Sequence, residues 1–286
     1  MSTMPGLRGV AQRTSPVWLF CWAQLLVRVN LCFVPLQSRQ SLRPLFQVLR
    51  PKFTEKRIIE AAKRYCLIRK WRRYLLQMWP AWAERHDQWF EFEGRENLNA
   101  ALKQGKGALL LSPHAFGFGR FVAPVLAQQG YRCHRVGLGW QGNDISERWG
   151  KDDYKRWQHI YYRWESWKNI EALKGIKTAL EQNEVVHVSV RGMSNGEKRF
   201  EIPFWYEKYF FDARLLRAIE FFQAPVIPCF SRLDGRGKVI VVLNTAIAPS
   251  ADAIVAEFGT LYRSWLEEFP ELSRIWKRVS QQRQDW

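Results

Sequence analysis

Acidic residues are scarce in this sequence, and neither its cysteines nor its histidines form a ligand pattern. The 286 residues include 27 Asp and Glu against 44 Lys and Arg, which gives a formal net charge of +17. The five cysteines are scattered and include no C-x-x-C pair, the spacing that zinc and redox sites use. The five histidines show no metal-ligand spacing either. The sequence therefore predicts reduced thiols, no metal centre and no resident cofactor.

A long uninterrupted hydrophobic run is also missing. The most apolar stretch, residues 17–35, reads VWLFCWAQLLVRVNLCFVP and is interrupted by Gln24, Arg28 and Asn30. A spanning helix needs about 20 nearly unbroken apolar residues, and a signal peptide needs a small-residue cleavage site, which this stretch lacks. Its tryptophans and leucines would instead let it lie in a membrane or insert partway, with Arg28 reaching toward the headgroups. A buried core helix is the alternative.

Aromatic and basic residues, by contrast, are abundant. The chain contains 15 Trp beside its excess of positive charge, a combination that suits either nucleic acid or an anionic membrane. Residues 140–168 interleave both residue types, as single-stranded nucleic-acid binders and membrane surfaces both do. No RNP, KH or helix-turn-helix signature is present, so we expect anionic membrane lipids as the partner rather than nucleic acid. For this stretch, a partly buried amphipathic helix is the alternative.

The pattern of apolar runs and amphipathic stretches predicts an α/β fold with a mixed sheet flanked by helices. A basic helical region begins near residue 54 and is expected to end near Pro80. We expect an N-terminal hydrophobic helical membrane arm over residues 1–50 and an α/β domain over residues 51–286. Strands are predicted at 107–112, 131–138, 184–190, 224–231 and 238–244, the last two as a hairpin, and helices at 120–129, 170–182 and 252–268.

One histidine follows directly on a predicted strand. Residues 109–121 read LLLSPHAFGFGRF, so the strand ends near Pro113 and His114 comes next, before two glycines and a helix. Ligands bind at the carboxyl ends of strands in open α/β sheets, and glycines let a substrate approach the backbone closely. His114 is therefore a candidate general base. The alternative is a hydrogen-bonded structural histidine.

A basic segment follows another of these strands. Residues 191–206 read RGMSNGEKRFEIPFWY, in which Arg191, Lys198 and Arg199 are candidate phosphate contacts between turn-forming small residues. Arg163 is a further candidate for the same role. If the strands before His114 and Arg191 run parallel, both segments leave the sheet at the same edge. A solvated basic hairpin is the alternative.

Several segments occur in an order typical of one enzyme family. They read FEGRENLNAALKQGKGALLLSPHAFGFGRF, ALKGIKTALEQNEVVHVSV, RFEIPFWY, APVIPCFSRLDGRGKVIVVL and EEFPELSRIWKR. In their order and spacing they resemble the bacterial lipid A late acyltransferases, the lauroyl and myristoyl transferases of the lysophospholipid acyltransferase superfamily. The hydrophobic N-terminal segment, followed by a basic helical region, is also in the matching place.

The resemblance implies an enzyme of envelope lipid biosynthesis at the cytoplasmic face of a bacterial inner membrane. Such enzymes move a fatty acyl group from an acyl thioester, on acyl carrier protein or coenzyme A, to a hydroxyl of a glycolipid or phospholipid. In the family's H-x4-D motif the histidine deprotonates the hydroxyl and the acid orients the imidazole, which assigns His114 as the base. In this sequence, Gly119 stands where the motif has its acid. A catalytically impaired homologue that binds lipid or regulates a membrane process is therefore the alternative.

Overall fold

The computed structural model describes residues 15–33, 42, 46, 49–50, 52–113, 118–138, 158–162, 170–190, 199–204 and 207–272. The helices are α1 (Pro16–Phe33), α2 (Glu55–Trp82), α3 (Arg95–Leu102), α4 (Gly119–Gln128), α5 (Ile170–Glu181), α6 (Ala213–Phe222), α7 (Ala251–Ala253) and α8 (Gly259–Glu268). The strands are β1 (Phe90–Glu93), β2 (Ala108–Pro113), β3 (Cys133–Leu138), β4 (Gln158–Tyr162), β5 (Val185–Val190), β6 (Arg199–Phe204), β7 (Glu207–Asp212), β8 (Val226–Leu233) and β9 (Val239–Leu243).

Seven of the described strands form one sheet, in the order β1-β9-β8-β2-β5-β3-β4. Strands β2, β3, β4, β5 and β8 run parallel, as their pairings show. Strand β9 pairs antiparallel with β8 and parallel with β1, so the sheet is mixed. Strands β6 and β7 form a separate antiparallel hairpin. The predicted α/β fold with a mixed sheet flanked by helices is confirmed.

Strands β2 and β5 lie at the centre of the sheet. Every residue of β2 is buried, and so is every residue of β5 except Ser189. Strands that are covered on both faces read as nearly continuous apolar runs, which explains the sequences ALLLSP and VVHVSV. The register pairs Leu110 with His187 and Ser112 with Ser189. Because side chains alternate across a strand, Ser112, His187 and Ser189 lie on the same face of the sheet.

The β8–β9 hairpin is confirmed, and its turn is built by an aspartate and a glycine. Asp234 Oδ1 accepts hydrogen bonds from the backbone N–H groups of Arg236, at 2.8 Å, and Lys238, at 2.7 Å. Gly237 adopts a φ of 91°, a left-handed conformation that glycine tolerates and other residues rarely do. The turn therefore has a local sequence cause.

Helix α1 packs on α2 and on this turn. Its inner face is formed by Phe20, Ala23 and Val27, all of which are buried. Phe20 meets Trp71 of α2 edge-on, with 5.2 Å between ring centroids, and Trp71 Nε1 donates a hydrogen bond to the carbonyl of Gly237 at 2.9 Å. Within the described ranges, no helix combines the length and the apolar character that crossing a membrane requires.

The basic helix ends close to the predicted position. It ends at Trp82, two residues past Pro80, and a 3-10 helix, Ala83–Gln88, follows it. A proline removes one backbone donor, but its fixed φ is compatible with helical winding near the helix end. The described residues within 140–168 form β4, parallel to β3, so the alternative of an amphipathic helix does not hold for them. The β-branched and aromatic residues of QHIYY favour a strand.

The last predicted helix is confirmed, with a change of winding inside it. Ser250 caps α7, its Oγ accepting a hydrogen bond from the N–H of Ala253 at 3.2 Å. A π-helical turn, Ile254–Phe258, then leads into α8. Phe258 and Trp265 pack against Phe230 of β8, with ring centroids 5.6 and 5.5 Å away. This aromatic cluster supports β8 where it pairs with β9.

Candidate functional site

The carboxyl ends of β2 and β5 lie side by side. The two strands are parallel neighbours, and Pro113 at the end of β2 is in register with Val190 at the end of β5. His114 and Arg191 are the next residues of their strands, so both segments leave the sheet at one edge, as the sequence predicts for parallel strands. His114 and Arg191 themselves lie outside the described residues, as do Lys198 and Arg163.

Arg199 is the one predicted phosphate contact whose backbone the structure describes. It is the first residue of β6, and the register of the β6–β7 hairpin places it directly opposite Asp212. Opposite charges at directly opposed positions are typical of antiparallel pairs. The described part of the basic segment is therefore a hairpin apart from the main sheet, and the role of Arg199 in binding phosphate stays a prediction.

A buried polar cluster lies beneath the edge at which His114 follows β2. Ser112 Oγ is 2.8 Å from His187 Nε2 and 3.3 Å from Ser189 Oγ. Ser112 is only 4% exposed and His187 is fully buried. Neighbouring parallel strands bring these side chains together, although 75 residues of sequence separate Ser112 from His187. The cluster is thus a product of strand order and register.

The imidazole of His187 stays uncharged at neutral pH. Burial lowers the pKa of His187 to about 3, and the positive charge of Arg135 contributes in the same direction. Its Nδ1 atom has no hydrogen-bond partner among the described residues. A buried polar atom of this kind is uncommon in folded proteins. His187 therefore presents a neutral ring with one nitrogen bound to Ser112.

The position of the family's acid opens onto the same cluster. Gly119 is the first residue of α4, and the described atoms closest to a Cβ built there are Ser112 Oγ at 3.7 Å and His187 Cε1 at 3.9 Å. Both distances are ordinary van der Waals contacts, so a Cβ atom fits at this position. The residue before it, Phe118, is fully buried and its N–H donates to Ser231 Oγ at 3.2 Å. The start of α4 is thereby tied to β8.

A second buried polar cluster lies at the opposite edge of the sheet. Glu184 precedes β5 and is hydrogen-bonded to His134 of β3, both side chains being buried. Arg132 Nη1 lies 3.2 Å from Glu184 Oε1, with its side chain largely in solvent. These groups join the amino ends of β3 and β5, away from the strand ends that precede His114 and Arg191. We assign this cluster a structural role.

Sequence reasoning missed the cluster of Ser112, His187 and Ser189, although a signal was present. In VVHVSV the two polar residues stand at alternate positions of an otherwise apolar strand, which places both on one face. Ser112 is likewise polar within an apolar strand. Metal ligands are a separate question: within the described ranges, no group of three or more His, Cys, Asp or Glu is arranged to hold an ion.

Comparison with models of known protein families finds none that matches this chain. Comparison with curated proteins finds no match either.

Proposed function

We propose that the protein is a membrane-associated acyltransferase that moves a fatty acyl group from an acyl thioester to a hydroxyl of a glycolipid or phospholipid. One observation carries the proposal: β2 and β5 are parallel neighbours, and Pro113 is paired with Val190. His114 and Arg191 thus follow adjacent strand ends, where α/β sheets bind ligands. The donor is acyl carrier protein or coenzyme A. The setting is envelope lipid biosynthesis at the cytoplasmic face of a bacterial inner membrane.

In this mechanism His114 takes the proton of the acceptor hydroxyl while the hydroxyl oxygen attacks the thioester carbonyl. The C–S bond breaks, the leaving thiolate takes the proton from His114, and an ester replaces the thioester. Arg191, Lys198 and Arg199, with Arg163, would hold a phosphate of the lipid or of the donor's phosphopantetheine arm. His187 does not act as the base, because a pKa near 3 makes it a weak proton acceptor at neutral pH.

Membrane association belongs to the same proposal. It is supported by α1, which exposes Trp18 and Trp22 to solvent, and by the net charge of +17. Trp favours a membrane interface, and positive charge favours anionic headgroups. The division into an arm over residues 1–50 and a catalytic domain over residues 51–286 stays a prediction.

A second candidate is a catalytically impaired homologue that binds lipid or regulates a membrane process. The surroundings of Gly119 favour it, because the nearest described groups there are the Ser112 hydroxyl and the His187 imidazole, and neither is a carboxylate. An imidazolium that forms without an orienting acid is poorly stabilised. In a serine protease triad, loss of the acid lowers the rate by about 10⁴-fold.

The central experiment compares lipid extracts by mass spectrometry. Cells would carry the wild-type chain, His114→Ala or the control His86→Ala, which removes a histidine of the 3-10 helix after α2. We expect a lipid that differs by one acyl group between wild type and His114→Ala and is unchanged in His86→Ala. Identical lipids in all three strains, at equal protein levels, would refute the proposed acyltransferase activity.

Gly119→Asp separates the two candidates. A Cβ at this position meets Ser112 and His187 only at van der Waals distance, so we expect the variant to fold, and circular dichroism checks this. With purified protein and acyl thioester, the variant should be faster than wild type by up to about 10⁴-fold, the factor that loss of the orienting acid costs a serine protease triad. Activity in the variant together with none in wild type would identify the impaired homologue.

A further inference from the structure

Helix α1 has two apolar faces, and only one of them is buried. The inner face, Phe20, Ala23 and Val27, is at most 8% exposed. The outer face consists of residues spaced by three or four along the helix, with exposed fractions between 39% and 67%: Trp18, Trp22, Leu25, Leu26 and Val29. An amphipathic helix of a soluble domain would carry polar residues there. The outer face is therefore unusual for a helix that faces only water.

The inner face fixes which side of α1 points outward. Phe20 packs against Trp71, and it also lies against the backbone of Gly237, where an added Cβ would be 2.7 Å from Phe20 Cβ. A rotation of α1 about its axis would pull this ring out of the core and expose Ala23. The outer face is consequently held away from the rest of the described structure.

The outer face exposes a large apolar area to solvent. A tryptophan side chain contributes about 150–250 Å², and Trp18 and Trp22 are 67% and 55% exposed. The two rings together leave roughly 180–300 Å² of apolar surface in solvent, before Leu25, Leu26 and Val29 are added. Soluble monomers rarely expose contiguous apolar patches larger than a few hundred Å², and the largest such patch is often functional.

The charge of α1 and α2 points to anionic lipid as the occupant of the outer face. Helix α1 contains no acidic residue, and its one basic residue, Arg28, is exposed. The adjacent helix α2 carries eight basic and two acidic residues in EKRIIEAAKRYCLIRKWRRYLLQMWPAW. A second copy of this chain would bring another +17 to the contact, which disfavours pairing of this face with itself. Tryptophan beside positive charge matches the interface of an anionic bilayer.

We propose that the outer face of α1 lies in the plane of an anionic bilayer's interface, with Trp18 and Trp22 at headgroup depth and Arg28 extending toward lipid phosphates. The inner face stays in the protein core, so lipid contacts α1 along one side only. This inference rests on the membrane association of the proposed function and names the surface that provides it. Helices of this type bind through buried apolar area together with attraction to anionic headgroups.

Vesicle flotation with the purified full chain tests the inference. The vesicles contain either phosphatidylcholine alone or phosphatidylcholine with about one third phosphatidylglycerol, the anionic content that polybasic surfaces respond to. We expect wild type to bind the anionic vesicles, and Trp18→Ser/Trp22→Ser to lower its partition coefficient at least tenfold. Phe221→Ser is the matched control, because Phe221 is an aromatic residue of α6 with 71% exposure, and it should bind like wild type.

A fluorescent label gives an independent measure of depth. Cys32 is exposed on α1, so an environment-sensitive dye on this thiol, in a Cys21→Ser background, reports on lipid contact. We expect its emission to rise on vesicle binding and to be quenched by headgroup-attached quenchers more than by quenchers at the bilayer centre. The same dye on Phe221→Cys, in a Cys21→Ser/Cys32→Ser background, should respond to neither.

The outcomes distinguish this inference from the proposed function. Equal vesicle binding by wild type and Trp18→Ser/Trp22→Ser, with both folded by circular dichroism, would refute the inference that the outer face contacts the bilayer. Membrane association itself would stand. Failure of wild type to bind either vesicle would overturn both membrane claims, and the His114→Ala lipid comparison would still decide acyl transfer. A wild-type dimer that becomes monomeric in Trp18→Ser/Trp22→Ser without binding vesicles would identify the occupant as a second copy and refute the inference.

Discussion

The substitution Gly237→Ala tests how α1 is attached to the α/β domain. Gly237 has a φ of 91°, which costs an alanine about 1–2 kcal/mol. The new Cβ would also lie 2.7 Å from Cβ and Cδ2 of Phe20 and closer still to its Cγ. Overpacking of this kind costs about 1–3 kcal/mol. We therefore expect Gly237→Ala to lower the free energy of unfolding by about 2–5 kcal/mol.

Gly130→Ala is the matched control for the backbone contribution. Gly130 has a φ of 93°, nearly that of Gly237, and no described atom lies within 4 Å of a Cβ built there. Its substitution should cost only the conformational part, about 1–2 kcal/mol. The difference between the two glycines, about 1–3 kcal/mol, measures the contact between residue 237 and Phe20.

A double-mutant cycle isolates that contact. Phe20→Ala alone should cost about 3–5 kcal/mol, as truncation of a buried aromatic does. In the Phe20→Ala background the cost of Gly237→Ala should fall but stay above that of Gly130→Ala, because the ring atoms that clash are gone while the Cβ of residue 20, at 2.7 Å, remains. The measurement is urea unfolding followed by far-UV circular dichroism, extrapolated linearly to water. Equal costs for Gly237→Ala with and without Phe20 would refute the packing of α1 described above.

Two further predictions concern buried titratable groups. Because the pKa of His187 is about 3 when folded, against about 6.5 unfolded, His187 contributes stability that is complete above pH 6.5 and lost as the pH falls toward 3. In His187→Gln the free energy of unfolding, measured with urea at each pH, should fall less between pH 6.5 and pH 3 than in wild type, by on the order of a few kcal/mol. If the pH dependence changes no more than in the control His86→Gln, the burial of His187 is contradicted. Burial also raises the pKa of the Cys229 thiol to about 12, and that of Cys133 still further. Native protein should therefore react rapidly with a thiol reagent at the exposed Cys21 and Cys32, whereas Cys133 and Cys229 should be modified only after unfolding, as mapped by mass spectrometry of peptides. Rapid labelling of either buried thiol in the native protein would disprove this.

Local sequence patterns were sufficient for the core of the fold. The runs ALLLSP and VVHVSV are apolar because strands covered on both faces have no solvent side, and each lies next to an amphipathic helix. The turn between β8 and β9 could also be predicted from the sequence, because Asp234 accepts hydrogen bonds from the backbone of the turn and the glycines allow its conformation. The end of α2 was predicted to within two residues, because a proline lacks the backbone N–H that continued helical winding would use.

What the sequence determined by itself was the α/β class, most element positions and the candidate residues His114, Arg191, Lys198, Arg199 and Arg163. Only the tertiary structure decided that β2 and β5 are adjacent and parallel, and which residues meet between them. Ser112 and His187 are 75 residues apart, so their hydrogen bond depends on strand order and register, which no local pattern encodes. The two faces of α1 follow the same logic, because both are apolar in sequence and only packing against Trp71 and Gly237 selects the one that is buried.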